Sequence, residues 1–182
     1  ENKNVLVIGG GDTGSDCLGT SLRQKSQSVL QIEIMPKAPE KRSPATPWPQ
    51  FPLVYKTSSS HQEGGDRRFN INTLRFLGEH GKLTGVAICP VQWNCDQFGR
   101  PKTFTPLEDQ EEIVPCDLAL LALGFLKQNR EQMLQSWNME DSEKIYIAGD
   151  AACGPSLVVK AIASGRGIAA QAIQNLTLTS RS

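Results

Sequence analysis

The chain has 182 residues, of which 38% are hydrophobic, and its 19 basic residues balance its 19 acidic residues. A zero net charge excludes the strong positive field that recruits nucleic acid or an anionic membrane. No apolar run approaches the roughly 20 residues of a transmembrane helix, and the first residues lack the layout of a signal peptide. We therefore expect a cytoplasmic protein with no membrane or nucleic-acid partner.

Five cysteines are scattered along the chain, and none of them belongs to a C-x-x-C pair. Their spacing predicts neither a zinc site nor an iron–sulfur cluster, so no metal-binding residue is assigned. We expect them to be reduced thiols that pack as small buried or half-buried side chains.

The first predicted elements are a strand, a glycine turn, a helix and a second strand. Residues 5–8 (VLVI) are a short apolar run, typical of a parallel strand that is covered on both faces. An amphipathic helix is predicted over residues 16–25 and a strand over residues 29–35. Together they form a βαβ unit of about the minimum length.

A proline-rich surface loop follows over residues 36–52, and the polar stretch TSSSHQEG continues it. A three-stranded antiparallel meander is predicted over residues 82–93, 102–105 and 111–115. Residues 118–123 are predicted to be a fully buried strand that ends at Gly124. The pattern indicates an α/β fold: a Rossmann-like, three-layer nucleotide-binding domain with a parallel sheet, helices and this antiparallel meander.

The C-terminal part of the chain has weaker signals. A short helix is predicted over residues 131–137, and residues 144–150 (KIYIAGD) are predicted to form a strand. A long helix follows over residues 156–176, because apolar residues recur there every three to four positions.

The glycine turn carries the most specific functional signal. It follows the pattern G-x-G-x-x-G between a buried strand and a helix, and its residues are Gly9, Gly10, Gly11, Asp12, Thr13 and Gly14. Gly9 allows a tight turn, Gly11 lets a pyrophosphate approach the backbone, and Gly14 lets the helix pack close to the strand. The helix N-terminus favours phosphate there. The pattern predicts a dinucleotide site; a methyltransferase-type nucleotide site and a turn that binds nothing are the alternatives.

The end of the second strand decides which dinucleotide binds, because an acidic residue there contacts the ribose 2′-hydroxyl of NAD. Glu33 is followed by two apolar residues, which places it inside the predicted strand and not at its end. Lys37, Lys41 and Arg42 lie where a ribose 2′-phosphate would sit, and they favour NADPH. The alternative is that they are solvated loop charges.

The predicted strand that ends in Gly149 and Asp150, followed by a helix, resembles the late motif of flavoproteins with two dinucleotide-binding domains. In that family the aspartate binds the ribityl chain or the phosphate of the flavin, and the helix points its N-terminus at the flavin ring. A helix dipole stabilises negative charge on a reduced flavin. This resemblance predicts FAD as a second cofactor.

Several segments together resemble the small subunit of NADPH-dependent glutamate synthase and related pyridine-nucleotide oxidoreductases, over nearly the whole chain. They are VLVIGGGDTGSDCLGT, QIEIMPKAPEKR, PWPQFP, TSSSHQEG, LLALGF, AGD and SLVVKAIASGR. The resemblance implies that NADPH passes a hydride to FAD. Electrons then travel through iron–sulfur clusters, on parts absent from this chain, to a large subunit that makes glutamate from glutamine and 2-oxoglutarate. It also implies an NADP(H)-binding domain at 1–124 and the C-terminal segment of an FAD-binding domain at 125–182.

The resemblance assigns cofactor contacts residue by residue. On the NADPH side they are Gly9, Gly10, Gly11, Asp12, Thr13, Gly14, Lys37, Arg42 and the segment Leu123-Gly124-Phe125; on the flavin side they are Gly149, Asp150, Ser156, Leu157 and Val158. No catalytic side chain is assigned, because the hydride moves between cofactors. His61 is expected to make structural hydrogen bonds and not to transfer a proton, and His80 is expected to lie in a surface turn.

The sequence departs from the family pattern in three places. The N-terminal half, with its cysteine clusters and its own glycine turn for FAD, is absent, so we expect the chain alone to hold FAD poorly and to be inactive. The link between Gly124 and Ile145 is short for the family, and residues 151–155 replace its usual arginines and glycine-glutamine pair. Two other functions stay open: a module that passes electrons to a ferredoxin or a pyrimidine-reducing partner, and a non-catalytic nucleotide-binding domain.

Overall fold

The computed structural model describes residues 1–44, 46–126 and 128–179. They form two compact units, Glu1–Leu123 and Gly124–Ser182. The assignment of the two parts of the chain to an NADP(H)-binding domain and an FAD-binding segment stays a prediction.

The first unit contains eight strands and two helices within its described residues. The strands are β1 (Asn4–Ile8), β2 (Ser28–Glu33), β3 (Asp66–Phe69), β4 (Ile71–Glu79), β5 (Lys82–Cys95), β6 (Pro101–Pro106), β7 (Glu112–Pro115) and β8 (Leu118–Leu121). The helices are α1 (Asp12–Arg23) and the short α2 (Ser59–Gln62), and a 3₁₀ turn spans Glu108–Gln110.

A parallel sheet with the strand order β3-β2-β1-β8 lies in this unit. Val7, near the end of β1, lies beside Gln31 of β2 and Leu120 of β8. Gln31 in turn lies beside Arg67 of β3. This register places the carboxyl ends of β1 and β2, and the start of α1, at one edge of the sheet, where ligands bind in folds of this type.

An antiparallel sheet is built around the long strand β5. β4 pairs with its first part, β7 pairs with residues 85–88 and β6 pairs with residues 91–95. The predicted meander is therefore incomplete, since β4 was not predicted and β7 pairs with β5 rather than following β6 in the sheet. His80 and Gly81 form the two-residue turn between β4 and β5, both with positive φ. The prediction that His80 lies in a surface turn is confirmed.

The buried side chains of the parallel sheet form a core on each of its faces, because successive residues of a strand point to opposite sides. On one face, Val5, Val7 and Val29 pack against Leu18 of α1. On the other face, the core consists of Leu6, Ile8, Ile32, Val86, Ile88 and Cys116. Helix, parallel sheet and antiparallel sheet are thus three layers, and the predicted α/β fold class is confirmed.

Several predicted elements of the first unit are wrong in their bounds or burial. α1 begins at Asp12 and not at Asp16, and β2 ends at Glu33 and not at Met35. The last strand is not fully buried: Leu121 is 64% exposed, because β8 pairs with β1 on one side and has no second neighbour in the described sheet. β3 was not predicted at all, since its sequence DRRF carries three charges.

The second unit is helical in its described residues, with α3 (Arg130–Ser136), α4 (Asp150–Cys153) and α5 (Val158–Thr179). The predicted strand at residues 144–150 is wrong. Side chains from neighbouring helices bind this segment instead: Arg130 donates to the carbonyl of Ile145, and Asn175 donates to the hydroxyl of Tyr146. No helix among the described residues combines the length and the apolar character that crossing a membrane requires.

Replacing Ile88 by alanine should lower the free energy of unfolding by about 2–5 kcal/mol, because the side chain is 1% exposed between the two sheets and a cavity would remain. Ile113 on the neighbouring strand β7 is 57% exposed, so Ile113→Ala should cost less than about 1 kcal/mol. Urea unfolding followed by circular dichroism measures both. Equal losses would contradict the proposed position of the core.

Candidate nucleotide-binding site

The glycine turn between β1 and α1 is crowded on its inner side. Gly9 has a φ of 122°, and a Cβ placed on it would lie 2.2 Å from the carbonyl oxygen of Ala122. A Cβ on Gly14 would lie 2.1 Å from the carbonyl oxygen of Gly9 and 2.6 Å from Nε2 of Gln31. The prediction that Gly14 lets the helix pack closely against the strand is confirmed.

The outer side of the same turn is open. A Cβ on Gly11 would meet no atom within 4 Å, and Gly11, Asp12 and Thr13 are exposed. Gly11 caps α1 without a side chain, so the first N–H groups of the helix have neither an intrahelical acceptor nor a capping side chain. These amides and the positive end of the helix dipole can hold an anion.

Glu33 lies at the end of β2, and the prediction that it lies inside the strand is wrong. One carboxylate oxygen accepts a hydrogen bond of 2.6 Å from the amide of Gly10, and the other accepts one of 2.9 Å from the amide of Met35. The carboxylate therefore ties the glycine turn to the end of β2. Its position alone does not decide between NAD and NADP, because both oxygens already bind backbone amides.

A chain of hydrogen bonds connects the stretch TSSSHQEG to the glycine turn. Gln31 Nε2 donates to the Gly9 carbonyl over 2.8 Å, which fixes the orientation of this amide and leaves its oxygen to accept from His61 Nε2, also over 2.8 Å. His61 Nδ1 then accepts from the hydroxyl of Ser58 over 2.9 Å. Ser58 in turn lies 2.5 Å from the hydroxyl of Ser15 in α1.

These bonds require the neutral His61 tautomer with its proton on Nε2. Burial of the imidazole, and secondly the positive charge of Arg67, lower its pKa below the ordinary value of 6.5. A positioning function follows from this geometry, because both ring nitrogens are already bonded to protein groups. The expectation that His61 has a structural hydrogen-bonding role is confirmed.

A cleft of about 380 Å³ opens beside the turn. Its lining consists of Gly10, Gly11, Asp12, Ser15, Lys56, Thr57, Ser58, His61 and Arg67. Sequence reasoning missed both of its cations, Lys56 and Arg67. Arg67 was missed because it lies on β3, which was not predicted. Lys56 was missed because it precedes the TSSSHQEG stretch, and only the tertiary structure brings that stretch to the glycine turn.

The cations predicted to bind the 2′-phosphate lie in the loop after β2. Arg42 is exposed, and its Nη1 donates to the carbonyls of Thr46 and Gln50 over 2.9 and 3.0 Å. Lys37 Nζ lies 4.3 Å from the centre of the Tyr55 ring. Neither side chain is among the residues that line the cleft at the turn.

The residues predicted to contact a flavin lie close together in the second unit. Asp150 begins α4 and accepts a hydrogen bond of 2.9 Å from the hydroxyl of Ser156, while the amide of Gly149 donates to the hydroxyl of Ser164. Leu157 and Val158, at the start of α5, are largely exposed. In the loop before α3, Gly124 has a φ of 77° and Phe125 is 84% exposed.

Comparison with curated proteins decides the relationship. The chain is 38% identical to the small chain of NADPH glutamate synthase from Mycobacterium tuberculosis in an alignment of 185 positions, which covers 93% of this chain and 37% of that protein. The chain is a relative of the glutamate synthase small chains. It is also 37% identical to the NADH glutamate synthase of Schizosaccharomyces pombe, over 91% of this chain and 9% of that protein.

This relative of the small chains thus spans about a third of their length, and its curated relatives are named for NADPH in one case and NADH in another. No protein-family model matches it. Among solved structures, the M. tuberculosis oxidoreductase FprA in complex with NADPH aligns with 99% of this chain and 54% of its own, with a TM-score of 0.63 and 13% identity. That likeness confirms the fold.

Gly14→Ala should lower the free energy of unfolding by about 2–4 kcal/mol, because the methyl group would overlap a backbone oxygen that Gln31 also holds. The gain of about 1 kcal/mol in helix propensity cannot offset this overlap. Gly11→Ala is the matched control, and it should change stability by less than about 1 kcal/mol since its methyl group meets open space. Urea unfolding of both variants measures the difference.

Acidification should destabilise the fold through His61. Its pKa is lowered in the folded state, so its contribution to stability is complete above pH 6.5 and is lost as the pH falls below that value towards the folded pKa. Between pH 7.5 and 5.5, above the range in which most carboxylates titrate, His61→Gln should show a smaller loss of stability than the wild type. His80→Asn, in the exposed turn, should behave as the wild type does, and a wild-type slope in both variants would contradict this role.

Proposed function

We propose that the glycine turn binds the pyrophosphate of NADPH, and that the chain is the NADPH-binding part of a flavin-dependent oxidoreductase of the glutamate synthase type. The observation that carries this proposal is the contrast between the two sides of the turn. Gly14 is pressed against the Gly9 carbonyl, whereas the position of a Cβ on Gly11 is empty. A backbone built in this way can accept a ligand in van der Waals contact with its amides.

The dinucleotide contacts in this proposal are those expected from the sequence. They are Gly9, Gly10, Gly11, Asp12, Thr13, Gly14, Lys37, Arg42 and Gly124. The inner glycines shape the turn, and the amides at the start of α1 face the phosphates. The nicotinamide supplies hydride chemistry when the cofactor is bound, so the residues of this chain contribute binding, orientation and charge.

On the flavin side, the proposed contacts are Gly149, Asp150, Ser156, Leu157 and Val158. The carboxylate of Asp150 is held by Ser156 and is exposed, which leaves it able to accept a hydroxyl from a ribityl chain. The exposed apolar start of α5 is suited to contact with an aromatic ring system. These features fit one edge of an FAD, and residues outside this chain would form the greater part of the FAD site.

The names of the relatives support a proposal for the cellular role. In a glutamate synthase, this chain would bring electrons from NADPH through FAD and iron–sulfur clusters to a large subunit that forms glutamate from glutamine and 2-oxoglutarate. A second candidate is an NADPH–flavin module for another acceptor, such as a ferredoxin or a pyrimidine-reducing partner. Both candidates use the same dinucleotide site, so the titration that follows tests the part that they share.

Gly11→Val tests the dinucleotide site directly. The side chain would fill the open space beside the first amides of α1, so we expect the affinity for NADPH to fall at least about tenfold. Gly11 has φ −78° and ψ −172°, an extended conformation that valine adopts readily, so the fold should be retained. Titration of the 182-residue chain, followed by NADPH fluorescence, measures the change.

Thr20→Val is the control for this titration, since it adds an apolar side chain to the exposed face of the same helix. It should leave the NADPH affinity within about twofold of the wild type. If Gly11→Val binds NADPH as tightly as the wild type does, the dinucleotide does not lie on the glycine turn.

A further inference from the structure

Two cations, Lys37 and Arg67, lie over the ring of Tyr55, next to the cleft at the glycine turn. A third cation, Lys56, follows Tyr55 in the chain, and its Nζ lies 4.8 Å from the centre of the Phe51 ring. Lys37 Nζ lies 4.3 Å from the centre of the Tyr55 ring, and Arg67 Cζ lies 4.8 Å from it. Arg67 Nη1 also donates hydrogen bonds to the Tyr55 hydroxyl over 2.8 Å and to the Lys56 carbonyl over 3.3 Å. We call these four residues, Lys37, Tyr55, Lys56 and Arg67, the Tyr55 cluster.

The Tyr55 cluster has no internal counter-charge. Among the ion pairs of the described residues, none includes Lys37, Lys56 or Arg67. Arg67 is the half-buried cation of the cluster, and its hydrogen bonds to the Tyr55 hydroxyl and the Lys56 carbonyl use Nη1 alone. The other edge of this guanidinium is free to bind an anion in a planar, two-pronged arrangement.

The position of Arg67 in the sheet indicates which anion it meets. Gln31 and Arg67 are register partners on neighbouring parallel strands, so both side chains lie on the face of the sheet that α1 covers. β3 is two strands away from β1, which is about 10 Å at the usual strand spacing. A pyrophosphate on the turn lies above the end of β1, whereas the adenosine ribose of a dinucleotide lies beyond the end of β2.

We propose that Arg67, held by Tyr55 and assisted by Lys37 and Lys56, binds the 2′-phosphate of NADPH and determines the preference for NADPH over NADH. This inference rests on the proposed function, because it requires a dinucleotide on the glycine turn. It differs from the sequence-based assignment in its main residue. Arg42 already donates to two loop carbonyls and lies outside the lining of the cleft, while Arg67 is part of that lining.

The test is the ratio of NADPH to NADH affinity in variants of the 182-residue chain. Arg67→Gln should weaken NADPH binding by about tenfold to a hundredfold, the usual range for hydrogen bonds to a charged group, and should change NADH binding less than about twofold. Arg67→Lys, which keeps the charge but loses the planar fork, should lie between Arg67→Gln and the wild type.

Arg68→Gln is the matched control. Arg68 is the next residue of β3, points to the opposite face of the sheet and pairs with Glu112 over 2.8 Å. It should leave both affinities unchanged. Adenosine 2′,5′-diphosphate, which has the 2′-phosphate but no nicotinamide, should displace NADPH from the wild type and do so at least about tenfold more weakly from Arg67→Gln.

The outcomes separate this inference from the function on which it rests. If the wild type binds NADH as tightly as NADPH, or if Arg67→Gln weakens both equally, the 2′-phosphate assignment is overturned while the dinucleotide site stands. If Arg42→Ala changes the affinity ratio and Arg67→Gln does not, the specificity belongs to the loop after β2. A wild type that binds neither dinucleotide overturns both proposals.

Discussion

The carbonyl oxygen of Gly9 is the point on which the geometry of the nucleotide site depends. It accepts a hydrogen bond from Gln31 and faces the Cα of Gly14 so closely that no side chain fits between them. Holding this carbonyl inward brings the first turn of α1 against the sheet. Its unsatisfied amides are then left on the outer side, where a phosphate can reach them.

The stretch TSSSHQEG helps to hold the Gly9 carbonyl in this position. His61 orients the amide of Gln31, and Ser58 links the imidazole to Ser15 in the first turn of α1. A polar network in a half-buried position stabilises one arrangement strongly when all of its members are satisfied. The stretch thus supports the turn on its inner side, and Lys56 and Arg67, which flank the stretch in the sequence, line the cleft beside it.

The success of sequence reasoning varied with how local each signal was. The strand VLVI and the glycine pattern could be predicted from the sequence. A strand that is buried on both faces requires a run of apolar residues, and a positive φ at position 9 favours glycine. β3 could not be predicted, because its sequence DRRF contains no apolar run. It forms a strand because the backbone of β2 pairs with it. The apolar segment KIYIAGD was misassigned because no described strand of its unit pairs with it.

The sequence by itself determined the α/β class, the turn at residues 9–14 and the relationship to the glutamate synthase small chains. The structure alone decided that Glu33 ends its strand, that Gln31, oriented by His61, holds the Gly9 carbonyl, and that Arg67 reaches the cleft. The physical reason is the sequence distance between partners: Gln31 and Arg67 are 36 positions apart and become neighbours through strand pairing. A local pattern records backbone conformation, whereas the contacts of a polar side chain depend on which strand lies beside it.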